Sequence, residues 1–313
     1  MQSPRIFREE EIRAVLRYSE LIPEMASALM EFSSGAAQQP ARTIVPMERE
    51  NGWFACMPGV YKDVMGAKLV TFYPGNAERS LPTHMATIQM LNPETGQPLA
   101  ILDGRLITEM RTAAVSAVAV QTLAPRNVRV LAILGSSVQA QAHLEALQQV
   151  RAFKEVRVAS RTREHAQVFA DRASRKYGSD LQVCASSAEE AVRDADVVVT
   201  VTSSPEPVLL GRWLKRDALV IAVGAVARDR RELDDDAMRS TVIVDSREAA
   251  MRESGDVRHS GAAIYAELGE VLAGDKRFIP AGVKVFKSLG LAVEDLAAAR
   301  LVYRAATIPG ATE

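Results

Sequence analysis

The chain has 313 residues, 48% of them hydrophobic and 25% charged, a balance that fits globular protein and excludes disordered, collagen-like and disulfide-built classes. Its 38 Lys and Arg against 39 Asp and Glu leave a formal charge of -1, which offers no electrostatic footprint for nucleic acid or an anionic membrane. At about 150 residues per domain the length predicts two domains, each with its own core.

The two cysteines, Cys56 and Cys184, and the four histidines, His84, His143, His165 and His259, are scattered. Without metal-ligand spacing they predict reduced thiols and no structural metal. The first stretch, MQSPRIFREEEIRAVL, is charged throughout, and no apolar run nears the roughly 18 residues that span a bilayer. A cytoplasmic protein with no membrane partner is expected.

From Phe7 to Phe32 apolar residues recur at helical spacing, as in Ile12, Val15, Leu16, Ile22, Met25 and Leu29, predicting one or two amphipathic helices that end near Gly35. Residues 42–102 change to short β-rich runs, RTIVPM, WFACMPGVY, AKLVTFYP, HMATIQML and PLAILDG. Pro, Gly and Asn between them predict an antiparallel meander. Thr108 to Leu123 is alanine-rich and reads as a long helix with a threonine cap.

Beyond Pro125 strands and helices alternate. VRVLAIL leads into a helix from about Val138 to Val150, and EVRVAS into one from Arg163 to Lys176. LQVCA, DVVVTVT, ALVIAVG, TVIVD and VKVF follow as continuous apolar strands, the signature of a parallel sheet covered on both faces. A last helix is predicted from Ala292 to Ala305, and the domain boundary near residues 112–125.

RVLAILGSSVQA ends a strand and opens a helix at Gly135-Ser136-Ser137-Val138-Gln139-Ala140. This approximates the G-x-G-x-x-G/A turn whose amides and helix N-terminus face a pyrophosphate. Ser137 stands where the second glycine belongs. Its Cβ crowds the pyrophosphate and its hydroxyl offers a hydrogen bond in return. At the end of the second strand, where an acidic residue selects NAD, the chain has Ser160-Arg161-Thr162. Arg161 can pair with a 2′-phosphate at about 1.5–3 kcal/mol; a solvated arginine at the helix start is the alternative.

Arg42, Lys68 and Arg111 each lie among apolar or small residues, in ARTIVPM, GAKLVTF and EMRTAAVSAVA. A cation there is costly to desolvate unless an anion meets it. Together they can hold a substrate carboxylate; taken singly, each reads first as a surface charge or an internal salt bridge. The run ELDDDAM reads as a solvated helix start. Cys56, Cys184 and the methionines read as packing.

ARTIVP, KLVTFY, PTHMAT, LDGRLITEMRTAAVSAVA, ILGSSVQA, FKEVRVASRT, AVGA, RELDDDAM, VDSREAAMRESGDV, ELGEV and VFKSLGLAVED stand in that order along the chain. By these stretches the sequence resembles the ornithine cyclodeaminase/mu-crystallin family over almost its whole length, and its ketimine reductase branch most closely. The resemblance implies an α/β protein. Its Rossmann-type NAD(P)-binding domain would span 116–291, beside an α+β substrate-binding and dimerisation domain of 1–115 plus 292–313. It further implies that Arg42, Lys68 and Arg111 line the carboxylate site, with Glu253 near the substrate. Thr83, His84 and Arg111 would approach the nicotinamide. Gly135, Ser136, Ser137, Val138 and Gln139, with Ser160, Arg161, Thr162, His165, Thr202, Val223 and Ser288, would contact the rest of the cofactor.

Cyclodeaminases of the family carry an aspartate where VGAVARDRREL has Val226, and an apolar side chain can neither accept a proton nor orient a water. Asp229 replaces it only in a rearranged loop. The expectation is therefore an NADPH-dependent homodimeric reductase, weaker with NADH, of 1-pyrroline-2-carboxylate and 1-piperideine-2-carboxylate. Arg42 and Arg111 would orient the carboxylate, and Lys68, its pKa depressed by burial beside two arginines, would relay the imine proton. The open alternatives are an open-chain imino acid or alanine-type dehydrogenase, an ornithine or lysine cyclodeaminase, and a non-catalytic NADPH-dependent ligand-binding protein.

Overall fold

The computed structural model describes residues 3–276 and 281–307; residues 308–313, assigned by sequence to the first domain, lie outside the described residues. The chain divides into two units, with breaks between Arg111 and Thr112 and between Leu289 and Gly290.

The first unit opens with β1 (Arg5–Phe7), α1 (Glu9–Val15) and α2 (Tyr18–Ser33). Five longer strands follow: β2 (Thr43–Met47), β3 (Gly52–Tyr61), β4 (Val64–Phe72), β5 (His84–Leu91) and β6 (Pro98–Asp103). They pair antiparallel in chain order, and β1 adds parallel to β6, giving the order β1-β6-β5-β4-β3-β2. The meander is as the alternating sequence predicts; β1, a three-residue strand with no alternation to show, was not legible. Ala55, Met57, Gly59 and Tyr61 of β3 are buried while the residues between them are half-buried, so one sheet face meets a core.

That core is made largely by α11 (Ala292–Thr307), which returns from the far end of the chain to cover β3, β4 and β5 and to pack on α2. Residues 292–299 are buried all round, as expected of a helix enclosed by its neighbours. A Cβ on Gly59 would stand 3.2 Å from the Gln38 carbonyl oxygen and at ordinary contact distance from Leu296 and Ala292 of α11, so β3 and α11 pack closely there.

The helix α3 (Gly104–Leu123) starts one turn before the expected Thr108. Its start is set by Asp103, whose Oδ1 accepts the Arg105 N–H at 2.9 Å. A Cβ at Gly104 would stand 2.8 Å from that of Ala86.

The second unit is built on β7 (Val130–Leu134), β8 (Glu155–Ala159), β9 (Gln182–Ala185), β10 (Val197–Thr200), β11 (Leu219–Ala222), β12 (Thr241–Val244), β13 (Ile264–Glu267) and β14 (Lys284–Lys287). Between them run α4 (Val138–Val150), α5 (Arg163–Tyr177), α6 (Ala188–Val192), α7 (Asp235–Met238), α8 (Arg247–Glu253), α9 (Gly255–Ser260) and α10 (Leu268–Ala273). The strands form a parallel sheet in the order β13-β12-β14-β11-β10-β7-β8-β9. Val197, Val198 and Val199 are fully buried, as are Leu219, Val220 and Ile221. At about 1.5–3 kcal/mol for each buried apolar side chain, these runs anchor the sheet from both faces. From β7 the chain steps outward to β8 and β9, then returns to β10 on the other side. This reversal between β7 and β10 is the topological switch point at which doubly wound sheets bind ligands. The fold is the Rossmann-type α/β arrangement the strand–helix rhythm predicts. Among the described residues no helix is long and apolar enough to cross a membrane.

Candidate functional site

In the first unit the three candidate cations sit in one cluster, and two carboxylates meet them. Lys68 is on the covered face of β4, opposite Met57 of β3 and Ile88 of β5. Its Nζ lies 2.6 Å from Asp295 Oδ2, with both side chains almost fully buried. Arg111, in α3, donates from Nε to Asp295 Oδ1 and from Nη1 to Glu294 Oε2, both at 2.9 Å. Arg42, just before β2, donates from Nη2 to the Gly290 carbonyl at 2.8 Å. Gly290 has φ +78°, and a Cβ there would stand 2.7 Å from the Arg111 guanidinium, so the guanidinium lies directly on the backbone that Arg42 also grips.

Sequence reasoning named the cations and missed the anions. Glu294 and Asp295 sit in the first turn of α11, where the helix dipole favours negative charge, and the Leu291 N–H adds a bond to Glu294 Oε2. Burial and the Arg111 and Arg42 charges push the Lys68 pKa down to about 8, against the raising effect of Asp295. Desolvation dominates.

Thr83 and His84 stand at the start of β5, with Thr83 Oγ1 and His84 Nδ1 3.4 Å apart. The His84 ring is 4.6 Å from Phe72 and meets Trp53 edge-on at 6.3 Å. The residue keeps an exposed edge, yet this desolvation, with the Lys68 charge, holds its pKa below the ordinary histidine value.

In the second unit the register aligns the strand ends. Leu134, Ala159, Thr200, Ala222 and Lys287 are paired across β7, β8, β10, β11 and β14. Gly135, Ser160, Thr202, Val223 and Ser288 therefore fall at one rim, at the C-terminal ends of parallel strands. Gly135 has φ +118° and a Cβ would meet the Val201 carbonyl oxygen at 2.8 Å, so the turn requires glycine there. Ser137 is at φ -79°, ψ -176° as the N-cap of α4, ordinary extended geometry that needs no second glycine. Its side chain is exposed and makes no cap bond, which leaves the first amides of α4 open for a phosphate. Ser136 and Ser160 hydroxyls bond at 2.9 Å across the rim. The Gln139 Oε1 is buried with no protein partner among the described residues. Val138 is exposed on the first turn of α4. Arg161 is exposed directly after Ser160, and Thr162 caps α5 by accepting the His165 N–H. These residues fit a dinucleotide.

The ELDDDAM run departs from its reading as a solvated segment. Asp235 and Asp236 are exposed and Asp234 caps α7, but Glu232 is fully buried. Its Oε1 accepts from Thr202 N and Oγ1 at 2.6 and 2.8 Å. Its Oε2 accepts from Thr200 Oγ1, Gly224 N and Ala225 N at 2.8, 2.7 and 3.2 Å. One carboxylate thus ties the ends of β10 and β11 together. Burial pushes its pKa up, opposed by the Lys287 charge and the Thr donors. Asp256 Oδ1 in turn accepts the Glu232 and Leu233 amides, while its Oδ2 pairs with buried Lys287 at 3.1 Å. An acid lying among charged neighbours in sequence gives no sign of such burial.

The sequence profile of the ornithine cyclodeaminase/mu-crystallin family matches residues 3–308. The chain belongs to that family. It is 48% identical to the ketimine reductase mu-crystallin of Mus musculus, over 96% of this chain and 97% of the relative. It is 34% identical to a Delta(1)-pyrroline-2-carboxylate reductase of Bacillus cereus, over 98% of each. The structure of the Thermococcus litoralis Delta(1)-pyrroline-2-carboxylate reductase with NADH and L-proline superposes with TM-score 0.92 at 35% identity, covering 96% of this chain and 97% of that one.

Within this family chain, Glu253 belongs to the second unit, at the end of α8, buried and accepting from Arg252 at 2.6 Å. Val226 is 39% exposed and Asp229 exposed on the loop after Gly224. Arg228 and Arg230, on either side of Asp229, donate to the carbonyls of Arg252 and Ser203, so the loop path is fixed around it.

The Glu232 bracket makes a stability prediction. Glu232→Gln turns an amide NH2 toward converging donors, which costs about 3 kcal/mol. The denaturant midpoint should fall with the m-value unchanged; a midpoint equal to the native one would remove the bracket's role.

Proposed function

We propose that this chain is an NADPH-dependent reductase of cyclic ketimine carboxylates, converting 1-pyrroline-2-carboxylate to L-proline and 1-piperideine-2-carboxylate to L-pipecolate. The observation that carries the reading is the buried Lys68 ammonium, with a pKa of about 8, set beside Arg42 and Arg111. In the same chain Val226 stands where a cyclodeaminase needs an acceptor. The kinship with ketimine and pyrroline-2-carboxylate reductases supports the same substrate class.

When bound, a reduced nicotinamide supplies the hydride. Arg42 and Arg111 bind the substrate carboxylate, which fixes the imine carbon and contributes several kcal/mol of orientation, on the order of 5. Lys68 holds the proton that the ring nitrogen gains as the C=N bond becomes CH–NH, and is reprotonated from solvent. No strong base is needed, because an imine accepting hydride gives up no proton to the protein. Neutral His84, its pKa lowered, adds no competing charge to the aromatic wall of Trp53 and Phe72.

Arg161 supports NADPH over NADH, since a 2′-phosphate gains a charge-assisted bond where NAD-selective chains place an acid. A homodimer is part of the reading. The sheet face opposite α11 carries Phe54, Cys56, Pro58, Val60, Ala67 and Leu69, half-buried and largely apolar, a surface suited to a second copy.

Catalytic efficiency should favour NADPH about ten- to a hundredfold, and Arg161→Ala should abolish the difference; equal use of both cofactors by the native chain would rule out that role. With NADPH and a cyclic imine, kcat/KM should decline as pH rises through about 8, where Lys68 loses its proton. Lys68→Met should lower kcat about a hundredfold or more. Near-native turnover in that variant would refute the proton role. Sedimentation equilibrium should give twice the 34.0 kDa chain mass, shifting toward one chain in Leu69→Arg; a native monomer would exclude the dimer.

A further inference from the structure

The cation cluster of the first unit contains more than a carboxylate-binding site needs. Of three cationic side chains, Lys68 and Arg111 pair with Glu294 and Asp295, and Arg42 joins the cluster on the Gly290 carbonyl. The two acids divide the work. Glu294 is spent on Arg111 Nη1 and the Leu291 amide. Asp295 bridges, with Oδ1 on Arg111 Nε and Oδ2 on Lys68 Nζ. It is the sole carboxylate recorded against Lys68 among the described residues, and it reaches Lys68 from a fixed base, the buried first turn of α11.

We propose that Asp295 is a positioning residue for the proton donor: it aims the Lys68 ammonium and keeps it protonated in a site that would otherwise strip its proton. With Glu294 it also reduces the cluster to a single net positive charge, the complement of a monocarboxylate substrate and not of a dicarboxylate. The chemistry of this inference rests on the reductase reading; the electrostatics does not.

The physical ground is a balance. Desolvation acts against the charged lysine, and so do the neighbouring guanidiniums of Arg111 and Arg42. His84 faces the same side of the sheet from β5 and is held neutral. Glu294 faces Arg111 from α11. Against all of these only Asp295 favours the ammonium by direct contact, and a contact of this length at an effective dielectric of about 20 outweighs one pKa unit several times over.

The test reads Lys68 directly. Protein labelled with 13Cε-lysine is titrated by NMR, with Lys68→Met to assign the signal, and the alkaline limb of kcat/KM is recorded in parallel. Asp295→Asn should lower the Lys68 titration midpoint from about 8 by at least about one unit, with the alkaline limb moving by the same amount. Glu294→Gln removes the same charge from the same turn without touching Lys68, and should shift it less. A Lys68 midpoint unmoved in Asp295→Asn, or moved as far in Glu294→Gln, overturns the proposal. Should Asp295→Asn not fold, Asp295→Glu keeps the charge and displaces it by one methylene. Lys68 titration and alkaline limb then shift together if the inference holds, and an unmoved titration overturns it. The NMR arm needs no turnover, so a protein inactive toward imines would defeat the reductase reading while leaving this result to stand on its own.

Discussion

The constraint on which the first unit depends is the meeting of α11 with two buried cations. Lys68 and Arg111 come from a strand and a helix of the N-terminal half, and neither tolerates burial alone. Removing one partner of such a pair typically costs about 3–5 kcal/mol, a large part of the roughly 5–15 kcal/mol by which a domain is stable. Asp295 and Glu294 make that burial possible, and they lie 184 and 183 residues from Arg111 in the chain. The return of the C-terminal helix to the first unit is therefore more than packing. It brings the counter-charges without which the cationic site could not sit behind the sheet.

The second unit solves the converse problem. Glu232 is an anion buried at the ends of β10 and β11, and there five donors, three of them backbone amides, join the Lys287 charge in compensating it. Backbone amides are fixed by the sheet, so the carboxylate locks two strand ends instead of being locked by mobile cations. Gly224 shows how close the fit is, since a Cβ would run into Thr202 and Glu232 itself. A rim held in this way needs little reorganisation when a nucleotide binds, which is the condition for efficient electrostatic recognition.

Legibility in the sequence followed the range of the interaction that carries each feature. The parallel strands could be read because continuous apolar runs such as DVVVTVT need no partner to declare themselves. The cations could be read because ARTIVPM and GAKLVTF make a charge conspicuous. Gly135 and Ser160 could be read from the turn motif and the strand end, Thr202, Val223 and Ser288 only through resemblance, and the register aligns all five for a reason no local pattern contains, the pairing of strand ends. Glu232 stayed hidden because an acid in charged surroundings looks solvated, while Glu294 and Asp295, which stand among apolar residues in LGLAVEDLAAA, stayed hidden because the cations they meet are remote in sequence. The Thr108 start failed differently: Asp103 caps one turn earlier, and a carboxylate at the end of a strand reads as a strand residue until the helix after it is seen.

Near-neutrality of the whole chain says little about its sites, and the reason is visible in how the charges are grouped. A cluster of three cations and two anions contributes one unit to the net charge while concentrating buried charge behind one sheet. The surplus matters more than the count. On the proposed reading, a cluster with no acids would strip the Lys68 proton, and one with three would leave no net charge for a carboxylate. One acid fewer than the cations leaves a single unmatched positive charge, which the proposed reading assigns to the substrate carboxylate. Under that reading a carboxylate anchor and a proton donor side by side require this narrow composition, and the first turn of α11 supplies its two acids.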